Sequence, residues 1–133
     1  YIMTSLRVSE SYLKEEITIE TEEMRRRQKM YRGEEQRVQL KDRTVIIVDD
    51  GIATGASMKA ALMGLKADEP KKIILAVPVA PADIINEMEQ IVDEVVCLKT
   101  PTLFFAVGKH YADFSQTTDD EVINLLDEAR ELL

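Results

Sequence analysis

A chain of 133 residues and 15.1 kDa has the size of one domain, and its 45% hydrophobic and 32% charged residues are those of an ordinary globular protein. No stretch approaches the roughly 18 apolar residues of a membrane-spanning helix, the single Cys97 excludes an intrachain disulfide, and no basic-then-apolar leader stands near Tyr1, so the expected compartment is the cytoplasm. With 17 Lys and Arg against 25 Asp and Glu, the formal charge is −8; this argues against general nucleic-acid binding, but not against a small phosphorylated ligand held by backbone N–H groups.

From Ser9 to about Met30 the chain is polar, free of Gly and Pro, and helix-compatible. Leu13, Ile17, Met24 and Tyr31 form a narrow apolar stripe, and Gly33 supplies a stop. The basic segment Arg25–Arg32 has two readings: a solvated helix end that suits the helix dipole, or a cationic segment that closes over an anionic ligand. After Asp42 the pattern alternates. Val45-Ile46-Ile47-Val48 is a continuous β-branched run, predicting a strand buried on both faces. A helix follows over Thr54–Lys66, with Met58, Ala61, Leu62 and Leu65 on one side. Ile73–Val79 reads as a second buried strand, with Pro78 and Pro81 leading into a helix bearing Ile84, Ile85, Met88 and Ile91. Val95-Val96-Cys97-Leu98 is a third strand, in which Cys97 reads as a small buried hydrophobe. Strand, helix, strand, helix, strand predicts an α/β fold with a parallel sheet and right-handed crossovers. Thr118 and Glu121 form a capping box for a last helix, whose stripe is Val122, Leu125, Leu126, Ala129, Leu132 and Leu133. The predicted organisation is a single domain: a helical segment and loop over 1–42, a core over 43–117 and a terminal helix over 118–133.

The chemistry concentrates in Val45-Ile-Ile-Val-Asp-Asp-Gly-Ile-Ala-Thr-Gly-Ala-Ser57. A buried strand delivers Asp49 and Asp50 to its carboxyl end, where open α/β sheets bind ligands. The small-residue loop then runs straight into a helix, so Ala53–Ser57 can turn successive N–H groups toward one anion. Gly55 lets the backbone come close, and the Thr54 and Ser57 hydroxyls add donors. Two acids beside such a cradle suit a sugar diol or a divalent metal. A nucleotide P-loop is absent, because Gly51 and Gly55 are four apart and no Lys follows.

This thirteen-residue run resembles the phosphoribosyl pyrophosphate binding motif of type I phosphoribosyltransferases, a family with a Rossmann-like parallel sheet. The resemblance implies that Asp49 and Asp50 serve as the catalytic acid pair, taking the ribose 2′- and 3′-hydroxyls. Ala53, Thr54, Gly55, Ala56 and Ser57 would hold the 5′-phosphate. It also implies Mg2+ as cofactor, bridging pyrophosphate and ribose, with Asp49 and Asp50 reaching the metal directly, through water or through the ribose hydroxyls. The implied reaction is attack of a nitrogenous acceptor, such as a purine base, at C1 of the ribose with release of pyrophosphate. Hypoxanthine–guanine enzymes carry an Asp where this chain has Ala53, which weakens that particular branch.

A second resemblance covers Phe104-Phe-Ala-Val-Gly-Lys-His-Tyr-Ala-Asp-Phe114, similar to the segment after the last core strands of hypoxanthine–guanine enzymes. It implies Phe105 as the ring that stacks on the acceptor, with Tyr111 and Asp113 as further acceptor-side candidates. Asp113 stands five residues after Gly108 where that family has four. The bland alternative for Phe104 and Phe105 is core packing. His110, the one histidine, reads as an exposed loop residue rather than a metal ligand.

The family builds part of its sheet, including a pyrophosphate loop, ahead of the motif, whereas here the residues before Val45 read mostly as helix. The expectation is therefore a domain incomplete at its N-terminus, matching the family over 12–133. A half-sheet exposes an apolar face and an unpaired edge, so a partner is expected: another copy, giving a homodimer, or the missing half. The alternative from another class is a non-catalytic module that senses phosphoribosyl pyrophosphate or serves as an accessory domain.

Overall fold

The computed structural model describes residues 8–33 and 38–132. They divide into two compact units, one of residues 38–115 and one combining the described residues before 38 with those from 116 onward.

The second of these is a pair of helices. α1 spans Glu10–Arg32, two residues beyond the predicted end. Ser9 caps it, its hydroxyl accepting from the Tyr12 N–H at 3.2 Å, and Gly33 stops it at φ +60°, donating to the Lys29 carbonyl at 2.9 Å. Part of the basic run is already engaged. Arg26 and Arg27 each pair with Glu23 at 2.7 Å, and Arg26 reaches Asp119 at 3.0 Å. The guanidinium of Arg26, then that of Arg27, holds the Glu23 carboxyl down at about 2. α4 spans Asp119–Glu131 and carries the predicted capping box between Thr118 and Glu121. The Tyr31 hydroxyl also donates to Asp119, and together with Arg26 it keeps that carboxyl below its ordinary range. Neither helix buries a residue fully: Leu125 and Leu132 of the terminal stripe stay exposed, and Leu133 lies outside the described residues.

The unit of residues 38–115 is the α/β core. In chain order it contains β1 (Thr44–Val48), α2 (Ala56–Lys66), β2 (Lys72–Val79), α3 (Ala82–Glu89) and β3 (Glu94–Lys99). The sheet is parallel throughout, ordered β1-β2-β3, with Val45 opposite Ile73 and Leu75 opposite Val95. The predicted class and element order hold.

One face of the sheet carries the core. Ile73, Leu75 and Val77 alternate inward from β2 and pack with Met58 and Leu62 of α2 and Ile85 and Met88 of α3, and Val79 is buried at the end of the strand. Leu62, Leu75 and Met88 are fully buried, each contributing about 1.5–3 kcal/mol by removal from water. Cys97 is half-buried at the margin of this core.

The prediction of strands buried on both faces is corrected. Ile46 and Val48 of β1 are 60% and 70% exposed, and Val96 and Leu98 of β3 are 43% and 80% exposed. The physical reason lies in the strand order. Successive crossovers that advance the same way across a sheet, all of one hand, stack their helices on one face. The β-branched run reports a strand; it does not report what covers the second face.

Candidate functional site

The site forms where β1 ends. Asp49 turns its carboxylate back onto the chain, Oδ1 accepting the Asp50 N–H at 2.9 Å. The Asp50 carboxylate has no partner among the described residues. Gly51 is required by space: a Cβ there would lie 2.8 Å from Val107 Cγ1 and 2.9 Å from the Val79 carbonyl oxygen. Ile52 then plugs into the core at 3% exposure, and its N–H donates to the Val79 carbonyl at 3.0 Å. The loop is thus pinned to the end of β2 before the cradle begins.

Thr54 stands in the loop rather than in the helix, which begins at Ala56 and not at the predicted Thr54. Gly55 caps the helix at φ +74° in the left-handed region. Its position is buried against α3, with Met88 Cε 3.0 Å and Ile84 Cγ2 3.4 Å from where a Cβ would be. Lys59, one turn into α2, pairs with Glu87 of α3 and ties the helices together.

The start of α2 differs from those of α1 and α4. The latter begin with side-chain caps and acidic first turns: Ser9 with Glu10, and Thr118 with Asp119, Asp120 and Glu121. In α2 no side chain caps the helix, and its first turn holds no acid. The Thr54 hydroxyl only brushes the Ala56 N–H at 3.5 Å. An uncapped helix start leaves its first backbone N–H groups without side-chain partners, the arrangement that suits an anion.

A cavity of about 210 Å³ lies over this helix start, lined by Asp49, by every residue from Gly51 to Met58, and by Val107. The structure therefore brings Asp49 together with Ala53, Thr54, Gly55, Ala56 and Ser57. Asp50 borders this group in sequence but is absent from the lining.

The tail candidates are placed less uniformly. Tyr111 approaches the motif, its hydroxyl donating to the Asp50 carbonyl at 2.6 Å. Phe105 is 83% exposed and does not line the cavity. The Asp113 carboxylate accepts the Ser115 N–H at 2.9 Å, and that bond, with the Ser115 side chain, holds its pKa below the usual range. Half-buried Phe104 stacks on His110, with centroids 5.6 Å apart. Sequence reasoning missed the anchoring role of Ile52 and the wall formed by Val107. The only available signal for Val107 was its place just before Gly108 in the tail motif.

Among the described residues no three His, Cys, Asp or Glu side chains gather as a protein cage for a metal. Two adjacent carboxylates are a donor set that fits Mg2+, which keeps waters and takes substrate phosphates rather than a full protein shell.

The chain has relatives among known proteins. A family model described as the phosphoribosyl transferase domain matches residues 6–113. Two curated proteins of Mycobacterium tuberculosis, from strains CDC 1551 and H37Rv, are 50% identical over 107 residues, and the names of both carry the words phosphoribosyl transferase. The match takes in 80% of this chain and 24% of each relative, so the chain spans about a quarter of their length. The crystal structure of TT1426 from Thermus thermophilus superposes with a TM-score of 0.76 at 40% identity, over 92% of this chain and 59% of that one.

Proposed function

Because the chain belongs to the phosphoribosyl transferase domain family, we propose that the segment from Asp49 to Ser57 binds phosphoribosyl pyrophosphate with Mg2+ and supports transfer of its phosphoribosyl group to a nitrogenous acceptor, with a purine base as the model acceptor. The observation that carries this is the uncapped, acid-free start of α2, with Asp49 lining the same cavity and Asp50 next to it in the chain.

The N–H groups of Ala53–Ser57 and the hydroxyls of Thr54 and Ser57 take the 5′-phosphate. Asp49 and Asp50 accept hydrogen bonds from the ribose 2′- and 3′-hydroxyls, as acceptor-only carboxylates must. Held at both ends, the sugar presents C1 to the incoming nitrogen, so positioning supplies much of the rate. As the new C–N bond forms and the bond from C1 to the pyrophosphate oxygen breaks, positive charge grows on the ring, and the two carboxylates stabilise it. A Mg2+ ion held by Asp49, Asp50 and ligand oxygens would neutralise the departing pyrophosphate. Phe105, with its ring open to solvent, is the residue proposed to stack on the acceptor, with Tyr111 and Asp113 at the same end. This chemistry belongs to nucleotide metabolism, and the compartment proposed is the cytoplasm. Among the described residues no helix is long and apolar enough to cross a membrane.

The test is release of pyrophosphate from phosphoribosyl pyrophosphate and Mg2+ across a panel of nitrogenous bases. Acceptor-dependent release is expected. Tight binding with no release for any base would overturn transfer and leave a sensing module.

A homodimer is part of the same proposal. The uncovered face of Ile46, Val48, Val96 and Leu98 is the surface expected to be buried between copies. Sedimentation equilibrium should give twice the 15.1 kDa chain mass, and Leu98→Lys should shift it toward monomer. A monodisperse monomer of the unaltered chain would contradict the dimer.

A further inference from the structure

We propose that Tyr111 is a positioning residue that fixes the ribose-reading geometry of the Asp49–Asp50 pair; the inference rests on the function proposed above and adds to it a role for the tail. The turn carrying the two acids is held at three points. Asp49 Oδ1 accepts the Asp50 N–H at 2.9 Å, and the Ile52 N–H donates to the Val79 carbonyl at 3.0 Å. Both belong to the strand–loop–helix frame or to the end of β2. The third is the Tyr111 hydroxyl on the Asp50 carbonyl at 2.6 Å, made across 61 residues of chain.

That third bond acts at the softest point. The Asp50 carbonyl belongs to the peptide that leads into Gly51, and glycine offers little resistance to rotation of that plane. Anchoring that peptide plane restrains the ψ angle of Asp50, and with it the angle between the Cα–Cβ bond and the held carbonyl. Nothing among the described residues holds the Asp50 carboxylate itself, so the backbone sets where its side chain starts and the carboxylate stays open to a ribose hydroxyl.

The tail is built to hold Tyr111 in place. Residues Val107–His110 form a single 3-10 turn, closed by the Tyr111 N–H on the Gly108 carbonyl at 3.3 Å. The Phe114 ring lies 5.2 Å from that of Tyr111, and a Cβ on Gly108 would come within 2.7 Å of Phe114 Cδ1. Val107 presses on Gly51 from the same turn. The tyrosine proton is therefore committed to the loop, and its hydroxyl serves the acid pair rather than donating to an acceptor base.

The test compares ribose 5-phosphate with 2-deoxyribose 5-phosphate by calorimetry, on the full chain and on Tyr111→Phe, with thermal unfolding of both. The substitution keeps the ring and its contact with Phe114. The unaltered chain should prefer the ribose compound about tenfold, the worth of a hydrogen bond to a charged acceptor. In Tyr111→Phe that preference should fall to within about twofold, with affinity for the deoxy compound unchanged and the melting temperature lowered by no more than the few degrees that one lost hydrogen bond costs. Equal losses for both ligands, or a preserved preference, would overturn the positioning role. An unaltered chain that binds both sugars equally would overturn it too, while leaving the phosphate cradle standing. An unaltered chain that binds neither would remove the proposed function, and the positioning role with it.

Discussion

Gly55→Val is expected to lower affinity for phosphoribosyl pyrophosphate by about a hundredfold or more. Two costs act together. At φ +74° an L-residue pays about 1–2 kcal/mol for the left-handed region, and a β-branched side chain fits it worst. A Cβ would also stand 3.0 Å from Met88 Cε and 3.4 Å from Ile84 Cγ2, and the two valine methyls reach further. Met88 is fully buried, so the core has little room to yield, and overpacking of this kind costs about 1–3 kcal/mol. The backbone is the part that gives way, which turns the N–H groups of Ala56 and Ser57 off the phosphate. Gly55→Ala should fall between, since its single methyl makes one tight contact, with the end of Met88, and reaches no further, while still paying the left-handed cost. Calorimetry with thermal unfolding separates lost binding from lost fold. Affinity in Gly55→Val equal to that of the unaltered chain would refute the cradle.

Asp50→Asn is the second large effect and has the opposite character: binding falls and stability does not. The carboxylate has no partner among the described residues and is exposed, so an isosteric amide should move stability by no more than about 0.5 kcal/mol. In the ligand complex the same change removes charge-assisted bonds worth about 1.5–3 kcal/mol, or roughly tenfold to a hundredfold in affinity. The loss should be larger with Mg2+ than without, because the amide is a weaker donor to the ion. Unchanged affinity with Mg2+ would take Asp50 out of the site.

Most of the frame was legible from local chemistry. Ser9, Gly33 and the Thr118–Glu121 box marked helix ends because capping is a short-range event. Val45–Val48 and Ile73–Val79 marked strands for the same reason. The covering of the sheet was not legible, because Ile46 and Val48 look alike whether a helix lies over them or not. In the site, the motif marked the loop that lines the cavity at the start of α2, and Gly55 stands there in the left-handed region that glycine favours. The tail was harder. Composition alone could not tell that Tyr111 reaches Asp50 while Phe105 stays in solvent, since both are aromatic residues in one Gly-containing run. Such pairings are fixed by tertiary packing across 61 residues, beyond the range of any periodicity.

Calorimetric titration of the chain with phosphoribosyl pyrophosphate, with and without Mg2+ and with ribose 5-phosphate as control, tests the central claim most directly. The expected result is Mg2+-dependent binding of phosphoribosyl pyrophosphate, tighter than that of ribose 5-phosphate and lost in Gly55→Val. No heat from either ligand, with or without the ion, would contradict a phosphoribosyl site at the start of α2.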